Sequence, residues 1–244
     1  MNKSTLPFLT RAVSIGLALA YALPAAAADH LTNPGFEDPS LTPGAADYHV
    51  VDAGTVPGWA TTATDNRIEL WTDGFIGVTS YEGAQHAELN ANQVSTLYQD
   101  LDGIAAGSLL SFQFAHRGRA GVDTLLLTIT SLGADSALGG GDDVVLFTKQ
   151  YSTDNTAWSL YTSSSEAPII ASGFPMRFAF ESVDAAGGDP RVGNFLDAVD
   201  FGLGVAPPAP IPTPSIGLLG QGLLVTTLGL LGAFAGRRRR AGRV

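Results

Sequence analysis

The chain has 244 residues, a net charge of −10 and no cysteine, which excludes disulfide staples, thiolate metal sites and cysteine nucleophiles. The stretch 29–205 holds all 23 acidic residues against six basic ones, a net charge near −17. Such a surface repels nucleic-acid phosphates, and it suits solvated extracellular surroundings and the oxygen chemistry of calcium.

The N-terminus reads as an export signal. Lys3 and Arg11 precede an apolar run from Ala12 to Leu23, followed by Pro24-Ala25-Ala26-Ala27-Ala28. The run is short for a membrane span, and small residues at −3 and −1 place cleavage after Ala27 or Ala28. Segment 1–28 is therefore expected to be a signal peptide and segment 29–205 one domain, long enough for a full core.

Within that domain the hydrophobic period is two, and no long 3.6-residue pattern occurs. Short candidate strands bounded by Gly, Asp, Asn or Pro run over Arg67–Trp71, Gln85–Asn90, Ser95–Asp100, Leu109–His116 and Thr124–Ser131. They continue at Val144–Tyr151, Ala157–Ser163, Met176–Ser182 and Phe195–Phe201. Alternation is clearest in Ser111-Phe112-Gln113-Phe114-Ala115-His116 and Arg177-Phe178-Ala179-Phe180-Glu181, as in half-buried antiparallel strands. Strands at this spacing predict an all-β, jelly-roll β-sandwich.

After the domain, 206–214 is a proline-rich linker, extended and stiff. Ser215–Ala235 is 21 uncharged residues, enough for a transmembrane helix. Arg237, Arg238, Arg239 and Arg240 follow at once, so 215–236 is expected to span a membrane with 237–244 as a basic cytoplasmic tail.

Candidate chemistry is sparse. His86 and Glu88 alternate with Ala87 and Leu89, which puts the first two together on an outward, polar face. Glu69 and Glu88 are the pair to consider for glycoside hydrolysis, which needs two carboxyls at a defined separation. Arg117 and Arg119 stand out where arginine is scarce; their planar forks fit sugar hydroxyls or internal carboxylates such as Asp123 and Glu88. Trp59, Trp71, Tyr81, Tyr98 and Trp158 are possible sugar platforms, with Trp59 expected in the core and Trp71 expected exposed beside Thr72-Asp73-Gly74-Phe75. The residues chosen for ligand contact are Trp71, Glu88, Arg117 and Arg119. No phosphate loop, zinc motif, serine elbow or EF-hand loop is present.

Two resemblances extend this reading. Ile211-Pro212-Thr213-Pro214-Ser215, the apolar span and the arginine cluster resemble the PEP-CTERM class of bacterial sorting signals and its IPTL-type relatives. Thr213 stands where the first class has glutamate, and Pro214 where the second has leucine. The resemblance implies an exosortase-like transpeptidase acting at Pro212, Thr213, Pro214 and Ser215, and a destination at the cell surface or in the matrix or biofilm of a Gram-negative bacterium.

Asn33-Pro34-Gly35-Phe36-Glu37, Val56-Pro57-Gly58-Trp59, Gly83–Asn90, Leu97–Leu101 and Asn194–Val199 are similar, in that order, to galactose-binding-like carbohydrate-binding modules. The order also resembles a domain of unknown function in plant cell-wall proteins and its bacterial counterparts. The resemblance implies first and last strands that pair, and a structural calcium held by Glu37 and Asp197, although Ala198 replaces a usual second aspartate. It implies a non-catalytic role in binding polysaccharide. The rival is a structural or adhesive envelope protein, which would show a broad apolar patch or an open sheet edge. A secreted hydrolase is the distant third.

Overall fold

The computed structural model describes residues 31–41 and 47–204; the signal peptide, linker, transmembrane and sorting segments expected from the sequence lie outside them. Among the described residues no helix is long and apolar enough to cross a membrane.

The described chain is an all-β sandwich of two sheets. In chain order the strands are β1 (Tyr48–Asp52), β2 (Ala60–Thr61), β3 (Arg67–Thr72), β4 (Gln85–Glu88), β5 (Thr96–Leu101) and β6 (Leu109–Arg117). There follow β7 (Asp123–Ser131), β8 (Val144–Thr153), β9 (Ser159–Thr162), β10 (Ile169–Ile170), β11 (Met176–Asp184) and β12 (Phe195–Leu203). All nine strands expected from the alternation are present, with ends that coincide or differ by at most two residues. The short strands β2 and β10 and the edge strand β1 are additions; β2 and β10, at two residues each, are too short to show a period.

One sheet has seven strands in the order β1-β3-β4-β12-β6-β10, with β9 also paired to β6. The other has five, β2-β5-β11-β7-β8. Every pairing is antiparallel. The expected pairing of first and last strands does not occur: β1 pairs β3 at one edge, while β12 lies between β4 and β6. The ends of the domain meet instead through the segment ahead of β1, where the Val199 amide donates to the Pro34 carbonyl at 3.2 Å.

The inner faces interlock through aromatic side chains. Phe112 and Phe114 of β6 meet Phe178 and Phe180 of β11 and Phe201 of β12, with Phe178 stacked on Phe201 at 4.5 Å and Phe114 edge-on to Phe180 at 5.0 Å. These rings are the apolar half of the period-two pattern, and each fully buried side chain contributes about 1.5–3 kcal/mol.

Segment 31–41 lies across the sandwich as a strap held by side-chain amides. Gln99 accepts from the Thr32 amide at 3.1 Å and donates to the Thr32 carbonyl at 2.7 Å. Gln85 accepts from the Leu41 amide at 3.0 Å. Trp59 is in the core, as expected, stacked on Phe36 at 4.6 Å and donating to the Asn33 carbonyl at 2.8 Å. The turn before it requires Gly58: its φ is +81°, and a Cβ there would lie 2.6 Å from Thr32 Cβ.

Candidate functional site

The sandwich offers two outer faces, and they differ in kind. The face of the seven-stranded sheet is built from β1, β3, β4 and β12 and roofed by loops. Glu69 and Trp71 of β3, His86 and Glu88 of β4 and Phe195 of β12 share it, because Ile68, Leu70, Ala87, Leu89 and Leu196 take the alternate positions in the core. Three of the residues singled out for ligand contact do converge here. Arg119 reaches both carboxylate oxygens of Glu88, at 3.1 and 2.9 Å, and its guanidinium lies 4.7 Å over the Trp71 ring.

The convergence is internal. Trp71, expected exposed, is 0% exposed, wedged edge-on between Phe75 and Phe195 with 4.7 Å to each centroid. It sits inside β3 rather than at a loop margin, and its indole donates to Glu69 at 2.7 Å. His86 and Glu88 share the outward face but are also 0% exposed: Ser80 of the loop after β3 and Trp158 lie against His86, and Arg119 and Gly193 lie against Glu88. Arg117, on the same face from β6, donates to the Asn155 carbonyl at 2.7 Å. His86 is held neutral: burial, then the Arg117 charge, lowers its pKa to about 3.

Glu69 and Glu88 sit directly opposite each other on β3 and β4, and both are buried. Two buried carboxyls at facing positions cannot both ionise cheaply. Burial, and then the Glu69 charge, pushes Glu88 up to about 9, and burial also raises Glu69. The pair therefore holds one proton at neutral pH, with Arg119, Trp71 and the Gly193 amide satisfying the remaining oxygens. A glycosidase pair stands about 5–9.5 Å apart with sugar between; here both carboxyls are buried and already engaged by Trp71, Arg119 and the Gly193 amide. A pocket of about 290 Å³ opens beside the cluster, touching Glu69, Arg119, Tyr48 and Arg191.

Glu37 and Asp197 both turn toward the loop ahead of β4. Glu37 accepts from the Ala84 amide at 2.8 Å, and Asp197 from the Tyr81, Glu82 and Ala198 amides at 2.8, 3.1 and 2.7 Å. Burial raises Asp197 to about 7 against those donors. Gly35 lies between them: a Cβ there would stand 3.2 Å from Glu82 Oε1, 3.8 Å from Glu37 Cγ and 4.0 Å from Asp197 Oδ1. Among the described residues no group of three His, Cys, Asp or Glu side chains stands close enough to hold a metal ion. A cation here would therefore draw on backbone carbonyls as well as carboxylates, a mixture calcium accepts.

The outer face of the five-stranded sheet is open. Its outward residues are the alternates of the core positions: Thr96 and Tyr98 on β5, Leu126, Thr128 and Thr130 on β7, and Arg177, Ala179 and Glu181 on β11. They line a groove of about 260 Å³, with Thr62 at one side and Leu138 from the loop 133–143 at another. Tyr98 is half-buried, and the Arg177 guanidinium carbon lies over its ring, 3.7 Å from the centroid. Arg177 is fixed there by Asp100, which accepts from its Nε and Nη2 at 2.7 Å each. The groove thus combines an apolar floor, a planar aromatic–guanidinium ledge and threonine hydroxyls that both donate and accept.

Of this groove the sequence marked only Tyr98, as one of five possible platforms. Arg177 and Glu181 were legible as the polar half of Arg177-Phe178-Ala179-Phe180-Glu181, a run that points them away from the core.

No family model matches the chain. No curated protein matches it. Among solved structures it is similar to a family 61 carbohydrate-binding module in complex with β-1,4-galactotriose, at 14% identity and a TM-score of 0.45, covering 72% of this chain and 99% of that one. It is also similar to the C-terminal family 22 carbohydrate-binding module of Clostridium thermocellum Xyn10B, at 14% identity and a TM-score of 0.43, covering 68% and 100%. A third is the xylan-binding family 22 module of Paenibacillus barcinonensis Xyn10C, at 10% identity and a TM-score of 0.42, covering 65% and 99%.

The carboxyl pair gives a pH signature. The folded pair retains a proton that an unfolded glutamate releases near 4.5, so between there and about 9 the folded state binds more protons and stability falls as pH rises. Below about pH 7 the buried neutral His86 opposes this and Asp197 adds to it, so the signature is read from about pH 7 to 9, where thermal melts should show a declining Tm, by ~2–4 °C for each kcal/mol lost. Glu88→Gln should flatten the decline; an equally steep slope in that variant would rule out the retained proton.

Proposed function

We propose that the chain is a non-catalytic carbohydrate-binding module and that a glycan lies in the groove of the five-stranded sheet. The observation that carries this reading is the ledge of Tyr98 and Arg177 set among threonine hydroxyls in an open, largely apolar groove. Sugar rings present an apolar C–H face that packs on a flat aromatic surface, and an equator of hydroxyls that pair with Thr, Arg and Glu. The buried Trp71, Glu88 and Arg119 cluster acts instead as the support of the opposite face.

The test is affinity electrophoresis of the full-length chain through gels cast with soluble β-linked glycans. Retardation by one glycan class is expected, weakened at least tenfold, about 1.4 kcal/mol, by Tyr98→Ala. Trp71→Ala should lower stability by about 3–5 kcal/mol without a comparable change in affinity of the folded protein. Normal retention of Tyr98→Ala would move the site off this groove.

A protein-adhesive role is the second reading, favoured by β8. This ten-residue strand pairs only β7 among the described strands and exposes Val144 and Val145 at 55% and 57%. Absence of glycan retention together with concentration-dependent self-association would favour it.

For the region between Glu37 and Asp197 we propose a structural calcium, supported by the approach of Glu37, Glu82 and Asp197 to Gly35. Bound calcium would offset the repulsion of these carboxylates. A chelator should then lower Tm by several degrees, calcium should restore it and magnesium should not; an unmoved Tm argues against the ion.

For the ends we propose export, membrane anchoring and sorting by an exosortase-like transpeptidase, on the strength of the sequence pattern in 1–28 and 206–244. Intact-mass measurement of the protein from its own cells is expected to show loss of the first 27 or 28 residues and cleavage near Pro212–Ser215. An unprocessed N-terminus would overturn export by cleavage; an intact arginine tail would leave simple anchoring.

A further inference from the structure

We infer that the glycan of the five-stranded face carries free amino groups, so that the ligand class is a polymer of amino sugars bearing ammonium charge. This rests on the groove being the glycan site, and it comes from the charges that face the groove, element by element.

Strands β2 and β7 contribute none: their outward residues here are threonines and Leu126. From β5 comes Asp100, and from β11 come Arg177 and Glu181. The single cation is already neutralised, because Arg177 is forked onto Asp100 and also lies within the field of Asp143. Asp143 Oδ1 is shut away from solvent and meets no hydrogen-bond donor. Glu181 is exposed, with uncharged Thr96 and Leu126 as its cross-strand neighbours, and it has no ion-pair or hydrogen-bond partner among the described residues.

The remaining basic side chains lie elsewhere. Lys149 of β8 pairs Glu166 at 2.6 Å, Arg119 pairs Glu88, Arg191 pairs Asp189, and Arg117 and Arg67 belong to the other sheet. The groove is therefore net negative within a domain that is itself near −17. Glu181 adds an uncompensated charge at the edge of this groove, and the summed field of the surrounding carboxylates adds to it. Uronic-acid or sulfated polymers are repelled from such a groove, whereas a neutral polymer leaves Glu181 without a partner.

An ammonium group supplies that partner. Glu181 stands two residues beyond Ala179, the cross-strand neighbour of Tyr98, roughly 7 Å along the strand. That is more than one hexose unit and less than two, so with a ring packed on the ledge an amino substituent of the next ring comes within reach of the flexible Glu181 side chain.

The test compares three probes on the full-length chain: β-1,4-glucosamine oligomers with free amines, the same oligomers N-acetylated, and a uronic-acid polymer. The free-amine form should bind at least tenfold tighter than the acetylated form, a preference that shrinks with added salt. Glu181→Gln should bring the ratio of the two affinities close to one. Asp47→Asn, at an exposed carboxylate just ahead of β1 in the other sheet, should leave the ratio as it was. Equal affinities for the free and acetylated oligomers, an unchanged ratio in Glu181→Gln, or an equal loss in Asp47→Asn would each overturn the amino-sugar assignment, the last by showing bulk charge attraction. Binding of acetylated oligomers alone overturns it while keeping the glycan site, and binding of none of the probes or of other glycans removes the site itself.

Discussion

The aromatic seam between the sheets is the constraint on which the rest of the molecule depends. Phe112, Phe114, Phe178, Phe180 and Phe201 commit one side of their strands to the interior, and a strand has only two sides. Whatever stands at the alternate positions is thereby placed on an outer face. The same rule delivers Glu69, Trp71, His86 and Glu88 to one face and Tyr98, Thr128, Arg177 and Glu181 to the other. Their different fates then depend on loops, not on strands: Phe75 and Ser80 from the loop after β3, with Arg119 and Gly193 from two later loops, close over the first set, and the second stays open.

This division explains which parts of the molecule could be read in advance. The strands were legible because alternation is a local property, and even the face shared by His86 and Glu88 followed from it. The burial of that face was not legible, because it depends on where Phe75, Val78 and Arg119 are carried by their loops. Trp71 is the instructive case. An indole beside Thr72-Asp73-Gly74 looks like a loop-margin aromatic, yet those residues begin the turn that folds back over it. Tyr98 had a weaker local signal; it is half-buried beneath Arg177, with small Ala179 as its cross-strand neighbour.

The pairing partners of β12 were also beyond local reading. Asn194–Val199 has the look of a closing strand, but nothing in those residues says whether it lies at an edge or in the middle. The answer comes from Ala87 and His116, its neighbours at Leu196, more than 70 residues away in the chain. Charge was legible in sum but not in distribution. Six basic residues against 23 acidic ones gave the sign of the surface, while the allocation of four of those cations to particular carboxylates required coordinates.

The strap of residues 31–41 has a consequence for the order of assembly. Its anchors are Gln85, Gln99, Trp59 and the backbone of Val199, all later in the chain than the strap itself, one of them by 165 residues from Pro34. The first part of the domain to be synthesised is thus the last to find all its partners. Until β12 has entered the middle of its sheet, the strap has only Gln85, Gln99 and Trp59 to hold it. Completion of the fold is registered at the N-terminal end, beside the residues where any leader peptide would be joined.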